Sequence, residues 1–377
     1  MTFGDQLTKE EAHQQLDLAT KSYGINFIDT AETYPIPSSS SSFGQTEKII
    51  GDWLKQKGNK REDVIISTKI CGFSDEITWC RPNGEGTRIT KDQVIEAVDQ
   101  QLKRLNTDYI DLLHIHWPDR YVPLYGAPGY VYSNERESTP IRTQVEIMDA
   151  LIKSGKVRSF GLSNETPYGV TKFTTIAEMI GANIPCSLQN SYNLLERNEF
   201  EMGMQETISK ANANLGFLAY SPLAGGALAG KYLDVKSIEP EFRMRKYVGY
   251  THRYISSPAN EAIKKYKKLA DGYDLPLAAI ALAFVYHRPF VSSTIIGATS
   301  INQLEENVMA LNIEISDEMM KAINEIYRSN IDPVRGVFPI IDYSKEYIDY
   351  SRLPWGAKDE DMDPELDILI SQRFSKF

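Results

Sequence analysis

The sequence has few cysteines and no long hydrophobic run. Its three cysteines, Cys71, Cys80 and Cys186, form no C-x-x-C motif, so we expect neither a disulfide framework nor a metal site, and a reducing compartment is the simplest inference. No run of about 18 apolar residues is present, which argues against a transmembrane helix. The first residues are charged and lack the apolar core of a signal peptide. We therefore expect a cytoplasmic protein, with organelle targeting left open if residues precede Met1.

Basic residues are also fewer than acidic ones. The chain has 41 Lys and Arg against 51 Asp and Glu, a formal charge of −10. Because phosphate binding needs a concentrated basic surface, neither a nucleic acid nor an anionic membrane is an expected partner. The 377 residues, 42% of them hydrophobic, can build a core without a disulfide or a metal. This length allows two domains or one large barrel.

Short apolar segments alternate with longer segments of helical period. The predicted strands are 27–28, 64–66, 110–113, 160–162, 187–188, 216–219 and 293–296. The predicted helices are 47–57, 94–105, 143–154, 169–180, 199–211, 259–273, 277–287, 301–309 and 317–327. Thr90 and Gln93 have the spacing of a capping box before the second of these helices. The alternation predicts an α/β fold with a parallel sheet and right-handed crossovers, one strand short of the eight in a TIM barrel.

We expect the incomplete strand to be the first, because only residues 1–4 precede the first helix. Unpaired buried backbone groups at the gap would each cost roughly 1–3 kcal/mol. The chain is therefore expected to melt early, and upstream residues that complete the first strand are expected to stabilise it. Residues 333–377 follow the last predicted helix of the barrel, and we assign them as an extension of unknown role. Their apolar runs favour covering the gap, whereas the acidic residues 359–361 favour a solvated segment.

Each predicted strand is followed by polar residues or glycine. The residues are Asp29, Lys69, His116, Ser163 with Asn164, Gln189, Tyr220 with Ser221, and Gly297 with Thr299. In a TIM barrel the carboxyl ends of the strands converge on one face, where the active site lies. Read together, these residues predict a site at that face.

Four of the candidates, Asp29, Tyr34, Lys69 and His116, make a chemically coherent group. An ammonium group near a tyrosine favours the phenolate, and a buried lysine needs a carboxylate beside it. A histidine can hydrogen-bond a substrate carbonyl. The set is suited to proton delivery to a developing alkoxide. His114 projects to the same side of its strand as His116, so it is a second candidate for the same role, with packing in the core as its alternative.

The residues resemble the aldo-keto reductase superfamily, in particular its Tas-type and potassium-channel-β-like branch. The matching segments are 24–34 (GINFIDTAETY), 67–69 (STK), 108–118 (DYIDLLHIHWP), 155–158 (GKVR), 161–164 (GLSN), 189–193 (QNSYN), 219–223 (AYSPL), 296–300 (IGATS) and 303–307 (QLEEN). The resemblance covers roughly residues 1–330. It implies a (β/α)8 barrel over residues 1–332, here with a truncated first strand and with 118–142 as a substrate loop.

The resemblance also implies NADPH/NADP+ as cofactor and a role for each matching residue. Tyr34 is then the general acid, Lys69 lowers its pKa, Asp29 pairs with Lys69, and His116 orients the carbonyl. The cofactor would be held at the carboxamide by Ser163, Asn164 and Gln189, at the nicotinamide ring by Tyr220, at the pyrophosphate by Ser221, Leu223, Gly225 and Lys231, and at the adenosine phosphate by Arg243, Gly297, Thr299, Gln303, Glu306 and Asn307.

These expectations leave three functional readings. The first is an NADP-dependent reductase of a small-molecule carbonyl, a monomer or homo-oligomer, with Trp79 and Trp117 either in an aromatic substrate pocket or in ordinary loop packing. The second is a nucleotide-binding regulatory or scaffold subunit with little turnover. The third is an inactive truncated gene product. The segment 225–231 fits G-x4-G-K, but Tyr232 follows it in place of the Ser or Thr of a P-loop, so we reject that motif.

Overall fold

Seven strands of the described residues form one parallel sheet in chain order. The structure is a computed structural model that describes residues 1–335, apart from 57, 128, 235–238, 240, 248–250 and the side chain of His252. The strands are β1 Phe27–Asp29, β2 Ile65–Ile70, β3 Ile110–Ile115, β4 Val157–Ser163, β5 Ser187–Ser191, β6 Gly216–Tyr220 and β7 Val291–Thr294. The predicted α/β barrel is confirmed, with all seven predicted strands present.

Residues 1–26 add no strand to this sheet. Phe3 forms an isolated bridge with Leu7, four residues further along, and β1 and β7 are not paired with each other in the described part of the chain. The helices that follow the chain are α1 Lys9–Asp17, α2 Gln45–Leu54, α3 Lys91–Leu105, α4 Ile141–Lys153, α5 Pro167–Ile180, α6 Gln205–Thr207, α7 Arg243–Lys246, α8 Ser257–Gly272, α9 Leu277–Tyr286, α10 Ile301–Met309 and α11 Asp317–Arg328. The segment predicted to extend from 333 lies outside the described residues after Arg335.

Hydroxyl side chains begin several of these helices. Thr166, Ser256, Ser300 and Ser316 each accept a hydrogen bond from a backbone N–H of the first turn of α5, α8, α10 and α11. Such caps satisfy N–H groups that have no partner within the helix. The helices therefore start at positions that the sequence marks locally.

Two local predictions are wrong. Thr90 precedes α3 but makes no capping bond, because the Gln93 amide oxygen accepts from Arg81 Nε and the Arg88 backbone N–H instead. The predicted helix 199–211 is a π-helical turn, Phe200–Met204, followed only by the short α6. At Gln93, the two arginine donors compete with the capping interaction that the local sequence favours.

The core lies between the sheet and the surrounding helices. Strand residues such as Ile66, Leu113, Phe160, Leu188 and Phe217 are fully buried or nearly so. Burial of apolar area of this kind supplies most of the favourable free energy of folding. The core therefore fixes the strands rigidly, and their carboxyl ends can hold polar groups in place.

Asp111 lies near the amino end of β3. Its carboxylate accepts from Arg61 at 2.6 Å, from the Ile66 backbone N–H at 2.9 Å and from Arg158 at 3.0 Å. It thus joins β2, β3 and β4 near their amino ends.

In the part of the chain that the structure describes, no single helix has both the length and the apolar composition to cross a membrane; α8 and α9 meet those criteria only as a pair bent by 95°. The same residues contain no group of three His, Cys, Asp or Glu side chains that could hold a metal ion.

Candidate active site

The centre of the candidate site is a buried ion pair at the ends of β1 and β2. Lys69 Nζ lies 2.5 Å from Asp29 Oδ2 and 2.8 Å from the Thr30 carbonyl oxygen. Asp29 Oδ1 accepts from Gln189 Nε2 at 2.9 Å and from Ser67 Oγ at 3.0 Å. The carboxylate is therefore satisfied on both oxygens, which is the condition for keeping a charge inside a protein.

Burial acts on both partners of this pair. Burial alone would raise the pKa of Asp29, but the charge of Lys69 and the hydrogen bonds from Lys69 and Gln189 hold that pKa below its usual value. For Lys69, burial outweighs the favourable charge of Asp29 and lowers the pKa. A lysine with a lowered pKa beside a carboxylate is typical of sites that move protons.

Tyr34 lies in the loop that follows β1 and is buried beside the ion pair. Lys69 Nζ is 5.2 Å from the centroid of the Tyr34 ring. The ring of His116 meets that of Tyr34 edge to face, with centroids 5.6 Å apart and an interplanar angle of 79°. The structure thus brings together the four residues that the sequence singled out as a chemical group.

His114, within β3, and His116, just after it, have different surroundings. His114 is fully buried between the hydroxyls of Ser67 at 3.3 Å and Ser187 at 3.1 Å, which supports its alternative reading as a core residue. His116 follows the strand, and its Nδ1 is buried with no hydrogen-bond partner among the described residues. His116 is therefore the histidine with hydrogen-bonding capacity left for a ligand.

Burial also lowers the pKa of both histidines, and the charge of Lys69 adds to the effect. The pKa of His114 falls to about 3, and that of His116 falls well below its ordinary value. Both imidazoles are consequently neutral near pH 7. A neutral His116 can donate a hydrogen bond from one ring nitrogen without carrying charge.

The residues that match the carboxamide and nicotinamide positions form one hydrogen-bonded row across β4, β5 and β6. Ser163 Oγ donates to the Gln189 carbonyl at 2.8 Å. Asn164 Nδ2 donates to the His116 carbonyl at 2.8 Å, and its Oδ1 accepts from Tyr220 OH at 2.6 Å. Asn164 adopts a left-handed backbone with φ 53°, which turns its side chain back toward His116. The row therefore adjoins the four-residue group directly.

The glycine-rich segment after β6 is a tight turn. Residues Ala224–Ala229 form a 3-10 helix that is broken by left-handed backbone at Gly225 and Gly226, with φ of 64° and 99°. Ser221, before the turn, also has a positive φ of 55°. Leu223 accepts from the backbone of Gly226 and Leu228, and Lys231 Nζ lies 5.3 Å from the centroid of the Phe242 ring.

The residues predicted for the adenosine end lie on two further elements. Arg243 begins α7 and donates to the Gln6 side chain at 2.6 Å. At α10, Gln303 accepts from the backbone N–H and hydroxyl of Thr299, and Asn307 donates to the Gly297 carbonyl at 3.4 Å. Glu306 is exposed on the same helix. Among the described residues, no hydrogen bond or ion pair joins Arg243 to α10.

The two tryptophans have unequal positions. The Trp117 ring lies 4.9 Å from the His116 ring, and its Nε1 donates to the Phe73 carbonyl at 2.7 Å. Trp79 is half-buried on the preceding loop and donates to Ser38 at 3.2 Å. Trp117 therefore borders the site directly, and Trp79 connects its own loop to Ser38 in the loop after β1.

Sequence reasoning missed a second buried ion pair behind the first. Glu32 and Arg81 contact each other at 2.9 Å with side chains 2% and 1% exposed, and Glu32 also accepts from the Cys71 backbone N–H at 2.7 Å. Gln101 of α3 supports the same region, because its Nε2 donates to the Lys69 carbonyl at 2.9 Å. The only local signal was that Glu32 lies in the same loop as Tyr34.

Comparison with known proteins gives a consistent picture. The model of the Aldo/keto reductase family matches residues 1–328. An aldo-keto reductase of Babesia bovis is 40% identical over 72% of this chain and 98% of its own length. The protein tas of Escherichia coli is 37% identical over 87% and 92%. A probable voltage-gated potassium channel subunit beta of Arabidopsis thaliana is 29% identical over 83% and 85%.

Proposed function

Because the chain belongs to the aldo/keto reductase family, a family of oxidoreductases, we propose that it reduces an aldehyde or ketone to the alcohol with NADPH and with Tyr34 as proton donor. When bound, the cofactor supplies the hydride that adds to the carbonyl carbon. The chain supplies the proton that adds to the carbonyl oxygen. The observation that carries the proposal is the convergence of Tyr34, His116 and the Lys69–Asp29 pair at the carboxyl ends of the strands.

Each of these side chains has one task in the proposal. The Tyr34 hydroxyl donates its proton to the carbonyl oxygen as that oxygen gains negative charge. The ammonium group of Lys69, 5.2 Å from the ring centroid, stabilises the phenolate that remains. Asp29 keeps Lys69 charged in a buried position. Removal of the charge on either partner would therefore weaken proton transfer by Tyr34.

His116 positions the substrate rather than moving a proton. Its lowered pKa keeps it neutral, and a neutral imidazole donates a hydrogen bond to a carbonyl oxygen without competing for the proton. Such a preorganised donor stabilises charge that develops on the oxygen. Trp117, in contact with the His116 ring, excludes water from the same position.

The residues around the ends of β4–β7 fit a dinucleotide phosphate. Left-handed backbone at Gly225 and Gly226 turns the main chain sharply after β6, and in the proposal N–H groups of this turn face the pyrophosphate. Lys231 and Arg243 supply positive charge. The capped first turn of α10 favours an anion through its aligned N–H groups. We extend the proposal to the organisation of the chain, with 1–332 as the catalytic barrel, 118–142 over the substrate, and 333–377 as an extension.

The proposal is tested by turnover of the purified chain with NADPH and 4-nitrobenzaldehyde. We expect NADPH oxidation that depends on the aldehyde and yields one 4-nitrobenzyl alcohol for each NADPH oxidised. A parallel titration of NADPH fluorescence measures cofactor binding without turnover. If NADPH is bound but not consumed with any of a panel of aldehydes, the proposed function is wrong.

That last outcome would support the second candidate, a nucleotide-binding regulatory subunit. The observation in its favour is the similarity to a plant protein named as a probable potassium channel subunit beta. The complete group Asp29, Tyr34, Lys69 and His116 favours the enzyme, because a subunit that only binds nucleotide needs no proton donor. A chain that neither binds NADPH nor turns over would correspond to the inactive product.

A further inference from the structure

Two arginines contact one phenylalanine at the edge of the candidate active site. The guanidinium carbons of Arg88 and Arg136 lie 3.8 Å and 3.6 Å from the centroid of the Phe73 ring. A guanidinium over an aromatic ring is held by the negative face of the ring and by stacking. Phe73 therefore holds two positive charges close together, and an anion bound between them would relieve their mutual repulsion.

This arginine pair lies on the catalytic face of the barrel. Phe73 follows the end of β2 by three residues, and its carbonyl accepts from Trp117 Nε1 at 2.7 Å. The ring of Trp117 in turn lies 4.9 Å from that of His116. The two loops meet so closely at Gly72 that a Cβ there would lie 1.8 Å from the Trp117 carbonyl oxygen. The arginine pair is thus linked to His116 through three contacts, by way of Phe73 and Trp117.

Arg136 has no ion-pair partner among the carboxylates of the described residues. No carboxylate lies within 4.0 Å of its guanidinium in the described ranges, where Arg136 Nε donates only to the Asp119 carbonyl, at 3.4 Å. The Asp119 side chain is buried and accepts from the backbone N–H groups of Ile89 and Thr139. The hydrogen bonds that Asp119 accepts therefore come from the main chain and not from Arg136.

The other two arginines nearby are already paired. Arg88 contacts Asp75 at 2.9 Å, but the Asp75 side chain is 71% exposed, so this pair is weak and readily exchanged. Arg120 is bound by the buried Glu165 at 2.5 Å. Arg136 is therefore the arginine on this edge whose guanidinium has no carboxylate in ion-pair contact among the described residues. Burial, together with the charge of Arg88, lowers the pKa of Arg136 despite the opposing charges of Asp119 and Asp75.

We propose that the carbonyl substrate carries a carboxylate, which the planar fork of Arg136 binds with support from Arg88. This inference rests on the proposed function and names its substrate class. The positively charged residues proposed for the cofactor, Lys231 and Arg243, follow β6 on another part of the face, so the arginines after β2 and β3 remain for the substrate. A bidentate guanidinium–carboxylate contact would orient the substrate with its carbonyl toward His116.

The test compares 4-formylbenzoate with its methyl ester, two aldehydes of similar shape that differ in charge. For the wild-type holoenzyme with NADPH, we expect kcat/KM to be roughly 10- to 100-fold higher for the acid, the range for a hydrogen bond between charged groups. Arg136→Gln should abolish most of this ratio through KM of the acid. Arg136→Lys should restore part of it. The control is Arg142→Gln, because Arg142 is an exposed arginine paired with Glu146 on α4.

The dissociation constant of 4-formylbenzoate in the NADP+ complex, measured by calorimetry, gives a second readout that needs no turnover. We expect it to rise in Arg136→Gln and not in Arg142→Gln. Equal kcat/KM and equal affinity for acid and ester in the wild type would overturn the inference, as would equal losses for both compounds in Arg136→Gln. If the proposed function itself is wrong, neither the ester nor the acid is reduced. The comparison of the dissociation constants still decides whether Arg136 binds the carboxylate.

Discussion

Lys69 Nζ lies 2.5 Å from Asp29 Oδ2, and the two side chains are 1% and 7% exposed. Such a pair gives little net stability when complete, because each ion loses its hydration, but removal of one partner leaves an uncompensated buried charge. The chain also contains an ion pair of equal length in solvent, Lys156 with Asp99 at 2.5 Å and 38% and 42% exposed. The two pairs separate the effect of burial from that of distance.

Asp29→Asn is expected to lower the free energy of unfolding by roughly 3–5 kcal/mol, because it leaves the Lys69 ammonium group without a counter-charge. Asp99→Asn makes the same chemical change in the exposed pair and should cost at most about 1 kcal/mol. Urea unfolding followed by circular dichroism measures both. Equal losses in the two variants would show that Lys69 is neutral or hydrated in the folded state.

The buried His114 predicts a pH dependence of stability. Its pKa is about 3 in the folded chain and about 6.5 when unfolded, so the unfolded state binds the extra proton. The contribution of the neutral His114 to the free energy of unfolding is therefore fully present above about pH 6.5. It is lost as the pH falls toward 3, by roughly 1.4 kcal/mol per pH unit. His116 acts in the same direction.

His114→Gln should make this loss shallower by about one proton, measured as the slope of the free energy of unfolding between about pH 6 and 5. His287→Asn, at an exposed position after α9, is the control and should keep the wild-type slope. A wild-type slope in His114→Gln would contradict the burial of a neutral imidazole at this position.

Arg243 predicts a preference for NADPH over NADH. In the role proposed for it, the Arg243 guanidinium would make a charge-assisted contact to the 2′-phosphate, which only NADPH carries. Arg243→Gln should weaken NADPH binding roughly tenfold and affect NADH little, as measured by fluorescence titration. The control is Lys246→Gln, because Lys246 lies on the same short helix and pairs with Glu241. Equal dissociation constants for both cofactors in the wild type would remove the role proposed for Arg243.

The sequence predicted the barrel because continuous apolar runs mark strands that are buried on both faces. The apolar run that marked β2 stopped at Ile66, before the polar residues Ser67, Thr68 and Lys69 at the end of the strand. In the structure these polar side chains continue the strand and find buried partners, Ser67 with Asp29 and Thr68 with Glu47. Local polarity is therefore a poor guide to strand ends where the barrel interior carries a polar site.

The sequence also failed to predict contacts between segments that are far apart along the chain. Glu32 and Arg81 are 49 residues apart, and no spacing rule connects them. The Gln93 side chain was assigned to a capping box, yet Arg81 and Arg88 bind it. The four residues of the candidate site were found because each follows a strand or its loop, a position that the fold brings to one face. The arginine pair on Phe73 had no such signal and required the structure.

The most direct test of the central claim is the kcat/KM of Tyr34→Phe with NADPH and 4-nitrobenzaldehyde. Tyr273→Phe, which removes the same hydroxyl from a residue that is 42% exposed at the end of α8, is the matched control. Loss of the proton donor should lower kcat/KM by roughly 10²- to 10⁴-fold, with NADPH binding retained and Tyr273→Phe equal to the wild type. Wild-type turnover in Tyr34→Phe would contradict the claim that Tyr34 delivers the proton.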